Sequence, residues 1–350
     1  MDREPFLKIA VIVPTYNGGE DLKASLQAIA SSTRTPDHVV VVDDGSTDDV
    51  AKIEAARHDF SYVRVDGGPT GPAKARNIGV SSCDSDVVLF VDSDVVVTPD
   101  SIQQVYDHFA ANPDLDALFG SYDSKPAVET IVSRYKNLLH HFVHQNSNRQ
   151  ASTFWAGFGA VRREAFNEVD GFDENFSRPC IEDIDFGLRL SHANFEIQLC
   201  PEIQVKHLKH WTLPGLIHTD IFCRAVPWTK LMIDRGTGLK NDLNVRQEHR
   251  FSALVCLLLS LSLFAMLLGY NTTTASIVLS LLYLFLDRRL FRFFFNIGGM
   301  KLTLGASILH YLYYLYASVT FVVVHFLSYL SKHQTKVPAA VQTMKKALRA

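Results

Sequence analysis

Asp92 and Asp94 stand two positions apart at the end of an apolar run, "LFVDSDVVVTPD". A run this apolar belongs in a buried strand, where an uncompensated carboxylate is costly. A hard divalent cation, Mg²⁺ or Mn²⁺, together with a phosphorylated ligand would account for the pair. Such cations take oxygen ligands and share their shell with phosphates. On a regular strand the two acids share a face; at a strand-to-loop turn they can converge. Two other acid pairs stand out, Asp43–Asp44 in "VVVDDGSTDD" and Glu182–Asp183 in "RPCIEDIDFGLRL". Each also has a plainer explanation. "DDGSTD" is a good turn and helix cap, and acids in a helix's first turn complement its dipole.

The elements that position these acids can be read from the pattern. "KIAVIVPTY", "HVVVVDDGS", "SYVRVDGG" and "DVVLFVDSDVVV" are strand-like runs, the last read as one strand. Between and after them lie helical patterns, "EDLKASLQAIASS", "DDVAKIEAARH", "PAKARNIGVSSC" and "PDSIQQVYDHFAANP", the third opened by a proline in its first turn. Continuous Val/Ile runs alternating with amphipathic helices predict an α/β fold with a parallel sheet covered on both faces. Ligands of such sheets bind beyond the carboxyl ends of the strands, where Asp43, Asp44, Asp92 and Asp94 fall. From about Thr153 to His210 the pattern is mixed: "TFWAGFGAVRREAF", the acidic helix "IEDIDFGLRLSHA" and the strand-like "FEIQLCPEIQVKH". That stretch completes the same domain.

Composition changes along the 350 residues. Charge is spread through the first two thirds, and apolar residues crowd from Phe251 onward. The formal net charge is −3, so no basic field points to a nucleic-acid partner. The five cysteines lack metal-ligand spacing and suit reduced thiols. The N-terminus enters a strand too soon to be a signal peptide. "WTLPGLIHTDIFCRAVPWTKLMIDRG" carries Leu213, Leu216, Ile217 and Ile221 at helical spacing and predicts an amphipathic helix on the bilayer, broken at Pro227. A helix packed on the preceding domain is the other reading. Three apolar segments follow, "FSALVCLLLSLSLFAMLLGY", "TTASIVLSLLYLFL" and "LTLGASILHYLYYLYASVTFVVVHFLSYL", giving two or three membrane spans. Arg288, Arg289 and Arg292 then belong on the cytoplasmic side. A single third span leaves the basic tail outside, against the same rule, so the last segment is either a hairpin or an exception.

The blocks "VIVPTYNGGEDL", "VVVDDGSTDD", "GPAKARNIG", "VDSD" and "IEDIDFGLRL", in this order, resemble the family 2 glycosyltransferases, nucleotide-sugar enzymes with the Rossmann-like GT-A fold. The likeness covers about the first 210 residues. It implies that Pro14, Thr15, Tyr16 and Asn17 line the base and ribose, that Asp44 accepts from the base with Asp43 nearby, and that Arg76 and Asn77 face the nucleotide. It further implies Asp94 as the direct metal ligand and Asp92 as support for ribose or metal. His207, ending the last strand, would join the metal or diphosphate. Asp183 would be the general base, supported by Glu182. Trp155 would stack on a sugar face and Gly157 would permit close backbone approach. Trp155 as plain core is an equal alternative.

The resemblance has gaps. The Gln-x-x-Arg-Trp motif of processive synthases is absent, and "CRAVPW" spaces Arg224 and Trp228 differently. A single-sugar transferase is therefore expected. Polyprenyl-phosphate sugar synthases usually lack the Glu-Asp motif, so its presence points to a hydroxyl acceptor. The expectation is an inverting, metal-dependent transferase using a UDP-, GDP- or dTDP-sugar. Its acceptor, a lipid-linked saccharide or glycolipid, is held at the membrane. The chain would be multi-pass in the cell membrane with its catalytic domain on the cytoplasmic face. Residues 1–210 form that domain, 211–250 the interfacial segment, 251–331 the spans and 332–350 a basic tail. A polyprenyl-phosphate sugar synthase and a non-catalytic nucleotide-binding membrane scaffold are the alternatives. A transporter built from the tail is a poor fit, since the spans are few and show no inverted repeat or intramembrane carboxylate pair.

Overall fold

The computed structural model describes residues 7–235 and 247–333. They fall into two units, one formed by the residues up to Glu129 with Val143–His210, the other by Thr130–Phe142 with the residues from Trp211 onward.

The first unit is built on strands β1 (Ile9–Thr15), β2 (His38–Asp43), β3 (Ser61–Arg64), β4 (Val87–Val91), β5 (Val95–Val97), β6 (Ala117–Tyr122), β7 (Phe158–Arg162) and β8 (Ile197–His207). They form one sheet in the order β3-β2-β1-β4-β7-β6-β8-β5. All of β1 and β4 is buried, as unbroken apolar runs in a doubly covered sheet must be. Helices α1 (Gly19–Ala30), α2 (Val50–Arg57), α3 (Pro72–Ser81) and α4 (Ser101–Ala111) follow β1, β2, β3 and β5. Leu22, Leu26 and Ile29 of α1 join the core on one face of the sheet, while Ala73, Ala75 and Val80 of α3 join that on the other.

Two expectations are corrected here. The sheet is mixed, because β7 runs antiparallel to both β4 and β6, and β5 antiparallel to β8. The run "DVVLFVDSDVVV" is also two strands. A turn closed by Val95 N–H on the Asp92 carbonyl, 3.0 Å, divides it. This lets β4 pair with β1 and β7 while β5 crosses to the sheet edge beside β8. The acids at 92 and 94 therefore occupy the turn between two strands.

Strand β6 and helix α5 (Ile131–Gln145) complete the middle of the chain and were not assigned from sequence. Helices α6 (Arg163–Glu168) and α7 (Glu182–His192) follow β7.

The second unit contains most of α5, then α8 (Leu213–His218), a π-helix over Thr219–Ala225, α9 (Val226–Arg235), α10 (Gln247–Leu267), α11 (Thr273–Leu286) and α12 (Arg288–His333). Pro227 does not break the amphipathic segment. It lies in the first turn of α9, directly after the π-helix. A wider turn just ahead of a proline relieves the clash between its ring and the carbonyl a turn earlier. Tyr135, Leu138, Trp211, Leu216, Leu290, Phe294, Leu302, Ala306 and Leu309 make this unit's main core. Lys136 Nζ bonds Asp220 Oδ1 at 2.5 Å, and Tyr316 donates to Asp220 Oδ2 at 2.6 Å. Two stretches are long and apolar enough to cross a bilayer, His249–Leu267 with mean hydropathy 2.1 and Arg288–Ser331 with 1.5. Only 22% of either apolar window is buried, whereas the core helix of a water-soluble domain buries most of its length. Helix α12 is bent where Gly298 and Gly299 leave helical geometry, and beyond them the helix runs unbroken to His333. The hairpin reading of the last apolar segment therefore does not hold. The basic tail lies beyond the described residues, as does the part of the interfacial segment between 236 and 246.

Candidate active site

Backbone pairing brings the acids of the first unit together. The antiparallel register of β5 and β8 sets Val95 opposite His207. Asp94 thus adjoins the end of β8, and Leu208 N–H fastens to the Asp94 carbonyl at 2.8 Å. The Asp94 Oδ2 to His207 Nε2 distance is 3.4 Å. Burial works against the Asp94 charge, but the His207 contact prevails and holds its carboxyl below the usual carboxylate range. His207 itself is buried and lies flat on Tyr122, ring centroids 4.3 Å apart at 8°. Trp155 meets Tyr122 edge-on at 4.8 Å.

Asp92 is held from α3. Its Oδ1 accepts from Arg76 Nη2 at 2.8 Å, while Arg76 Nη1 donates to Glu182 Oε1 at 2.9 Å. Arg76 is 4% exposed. Burial disfavours its charge, yet Asp92 and then Glu182 carry its pKa above the ordinary arginine value. Asp92 is shifted upward, first by burial, with Arg76 opposing and Asp94 adding to the rise. Glu182 spends its second oxygen on the Cys180 N–H, 2.8 Å, which fixes the start of α7. Asp183 then accepts from the Ala156 N–H at 3.4 Å, and the Asp92 N–H donates to the Gly157 carbonyl at 3.1 Å. The three-residue stretch Trp155–Gly157 therefore touches both acid pairs.

The loops after β1 and β2 form a second cluster. Thr15, buried at the end of β1, accepts the Asp44 N–H on its carbonyl, 2.8 Å. Pro14 pairs with Val42 inside the sheet. Tyr16 is half exposed. Asn17, at a φ of 53°, donates its N–H to Ser46 Oγ and accepts on Oδ1 from Thr47. Asp43 accepts from the Ser46 N–H, Tyr62 and Arg64. Both Asp44 oxygens accept from the loop before α3, Oδ1 from Thr70 and Oδ2 from the Gly71 N–H at 2.7 Å. Gly45, at a φ of 85°, lies so close to Gly68 that a Cβ would come within 2.8 Å of its backbone. A side chain is excluded there.

Some expected residues have other duties. The Asn77 amide is spent on Phe172, donating to its carbonyl at 2.8 Å and accepting its N–H at 2.9 Å. Asn77 thus pins the loop before α7. A Cβ on Gly157 would strike the Trp155 indole at 2.6 Å, so its missing side chain is explained by Trp155. Trp155 is partly buried and packs against the cores of both sheet faces. Tyr122 and Thr70 were missed from sequence. Asp21 in the first turn of α1 was missed too; its carboxyl is raised by partial desolvation and then by the Asp94 charge. The short apolar run opening "ALFGSY" was the available signal for Tyr122.

Residues 10–170 match the family model for glycosyl transferase family 2. The domain they form is a family 2 glycosyltransferase domain. A second model, the N-terminal domain of galactosyltransferase, matches residues 136–211. Among relatives, the O-antigen chain rhamnosyltransferase RfbN of Salmonella typhimurium is 25% identical over 70% of this chain and 81% of its own. Glycosyltransferase GlyG of Streptococcus pneumoniae is 33% identical, over 33% of this chain and 38% of its own. Among solved structures, the mannosyltransferase PcManGT of Pyrobaculum calidifontis, in complex with GDP-Man and Mn²⁺, superposes with a TM-score of 0.52. It covers 81% of this chain and 87% of that one at 18% identity. The glycosyltransferase domain has the GT-A fold.

Proposed function

We propose that the protein is an inverting, metal-dependent glycosyltransferase that moves a single sugar from a nucleotide-sugar to a hydroxyl acceptor held at the membrane. The observation that carries this reading is the convergence of Asp92, Glu182 and Asp183 on Arg76 and the Trp155–Gly157 stretch. PcManGT, which shares the fold, holds GDP-Man and Mn²⁺, and RfbN is named an O-antigen chain rhamnosyltransferase. Both fit a nucleotide-sugar donor and a sugar hydroxyl as acceptor.

The donor set suits a hard cation, since Asp94 offers a carboxylate kept charged and His207 a buried imidazole beside it. Mg²⁺ or Mn²⁺ held by Asp94, with Asp92 and His207, would neutralise the diphosphate as the sugar–oxygen bond breaks. Tyr122 holds the His207 ring in plane. Pro14, Thr15, Tyr16, Asn17, Asp43 and Asp44 frame the nucleoside. Arg76 keeps Asp92 oriented toward ribose or metal and fixes Glu182, so that Asp183 projects from the first turn of α7 as general base. Asp183 takes the acceptor hydroxyl's proton while the oxygen attacks the anomeric carbon from the face opposite the diphosphate. Trp155 walls the sugar pocket.

The apolar helices of the second unit suit anchorage in a bilayer with the first unit on the cytoplasmic face. An acceptor that stays in the membrane is then met in two dimensions. The test is a screen of UDP-, GDP- and dTDP-sugars with detergent-solubilised protein, reading metal-dependent release of nucleoside diphosphate and the anomeric configuration of the product. Transfer to bare polyprenyl phosphate alone, or retention of configuration, overturns the reading.

A further inference from the structure

Strand β8 carries a second constellation, away from Asp94. Opposite β6 its register jumps: Phe119 pairs with Leu199 and Ser121 with Gln204, so residues 200–203 bulge against Gly120. The bulge turns Cys200 inward, fully buried, and Glu202 outward, about half exposed. His108, in the last turn of α4, stands over both. Its Nδ1 is 3.8 Å from Cys200 Sγ and its Nε2 is 3.5 Å from Glu202 Oε1. One ligand atom from each residue lies within 4.8 Å of the others.

We propose that His108, Cys200 and Glu202 form a second cation site, of the borderline-soft class that Zn²⁺ fills, with water as the fourth ligand. Thiolate, imidazole and carboxylate together match Zn²⁺ and not Mg²⁺. Bonds of roughly 2.0–2.3 Å set tetrahedral ligands about 3.3–3.8 Å apart, so closing the set asks for about an ångström of movement. Glu202, on the surface, supplies it by leaving Arg149, its present ion-pair partner. The Cys200 thiol, which burial pushes up to about 12, loses its proton to solvent as the sulfur–metal bond forms. Metal binding therefore releases one proton and tightens as pH rises. The site ties the end of α4 to the β8 bulge. His207 ends the same strand, more than about 10 Å further along it, so the two cation sites are separate. Nothing in the glycosyl-transfer reading is needed for this one.

The test uses the full chain in detergent, stripped with a chelator and titrated with Co²⁺ as a spectroscopic substitute for Zn²⁺. One equivalent should give a sulfur-to-cobalt charge-transfer band, displaced by Zn²⁺. Cys200→Ser should abolish the band, and His108→Gln and Glu202→Gln should each weaken binding about tenfold or more. Arg149→Gln, by releasing Glu202, should tighten it. Asp94→Asn should leave the band in place. A wild-type protein without the band, or a band that survives Cys200→Ser, overturns the proposal. Should Cys200→Ser fail to fold, unchanged affinity in both His108→Gln and Glu202→Gln overturns it equally.

Discussion

The Arg76 guanidinium donates to Glu182 across 106 positions of sequence, at 2.9 Å, with both side chains almost wholly buried. This contact joins the β4–β5 turn to the first turn of α7, because the same guanidinium also holds Asp92. The guanidinium thus places one positive charge between the two acids. Removing the arginine leaves the buried Glu182 and the partly buried Asp92 without this counter-charge. Arg76→Met should destabilise the protein by roughly 3–5 kcal/mol, read by chemical denaturation. Arg76→Lys, which can satisfy only part of the fork, should cost less.

Asp94→Asn should depress turnover on the order of a thousandfold, the several kcal/mol that a cation contributes to charge stabilisation. The check is nucleoside diphosphate release across a Mn²⁺ titration, and full activity at high Mn²⁺ would remove Asp94 from the metal's ligands.

Asp183→Asn should lower kcat by about a hundred- to ten-thousandfold while leaving donor affinity nearly unchanged, as loss of a general base does. Calorimetric titration with the nucleotide-sugar separates the two quantities.

Tyr122→Leu removes the ring on which His207 lies. The metal concentration for half-maximal activity should rise about tenfold or more, with kcat at saturating metal close to wild type. A fall in kcat with unchanged metal dependence would instead make Tyr122 part of the acceptor pocket.

Asp43 supplies a pH dependence of stability. Burial raises its pKa, but the bonds from Ser46 and Tyr62 and the Arg64 charge outweigh it and hold the folded value below the unfolded one. Its stabilising contribution is therefore complete above the unfolded value, about 3.9, and is lost as pH falls through the depressed folded value. Melting temperatures should drop steeply below about pH 4. In Asp43→Asn the protein should start less stable at neutral pH and lose less on acidification.

Much of the site was legible because unbroken Val/Ile runs end in acids, and a parallel sheet collects strand ends on one side. The blocks containing Asp43 and Asp94 needed nothing more, whereas Asp183, in the first turn of α7, was singled out through the family resemblance. Strand direction was not legible: "GFGAVRR" carries the same apolar signal whichever way β7 runs. The turn at 92–94 was hidden because apolar residues flank it on both sides. The resemblance implies that Asn77 faces the nucleotide, while its hydrogen bonds to Phe172 were visible only in the fold. The π-helix over Thr219–Ala225 leaves the apolar spacing nearly helical, so the proline looked like a stop.

The bend at Gly298–Gly299 leaves a continuous helical rod from Met300 to His333, roughly 50 Å long at 1.5 Å per residue. That is longer than a hydrocarbon layer of roughly 30 Å, even if the rod leans. Were the rod to cross a bilayer, as proposed, one end would overhang into headgroups or water. The early part, where Leu302, Ala306 and Leu309 already sit in the core with α5, is the part that can stay dry there. In that arrangement a single helix would serve as both mast and keel.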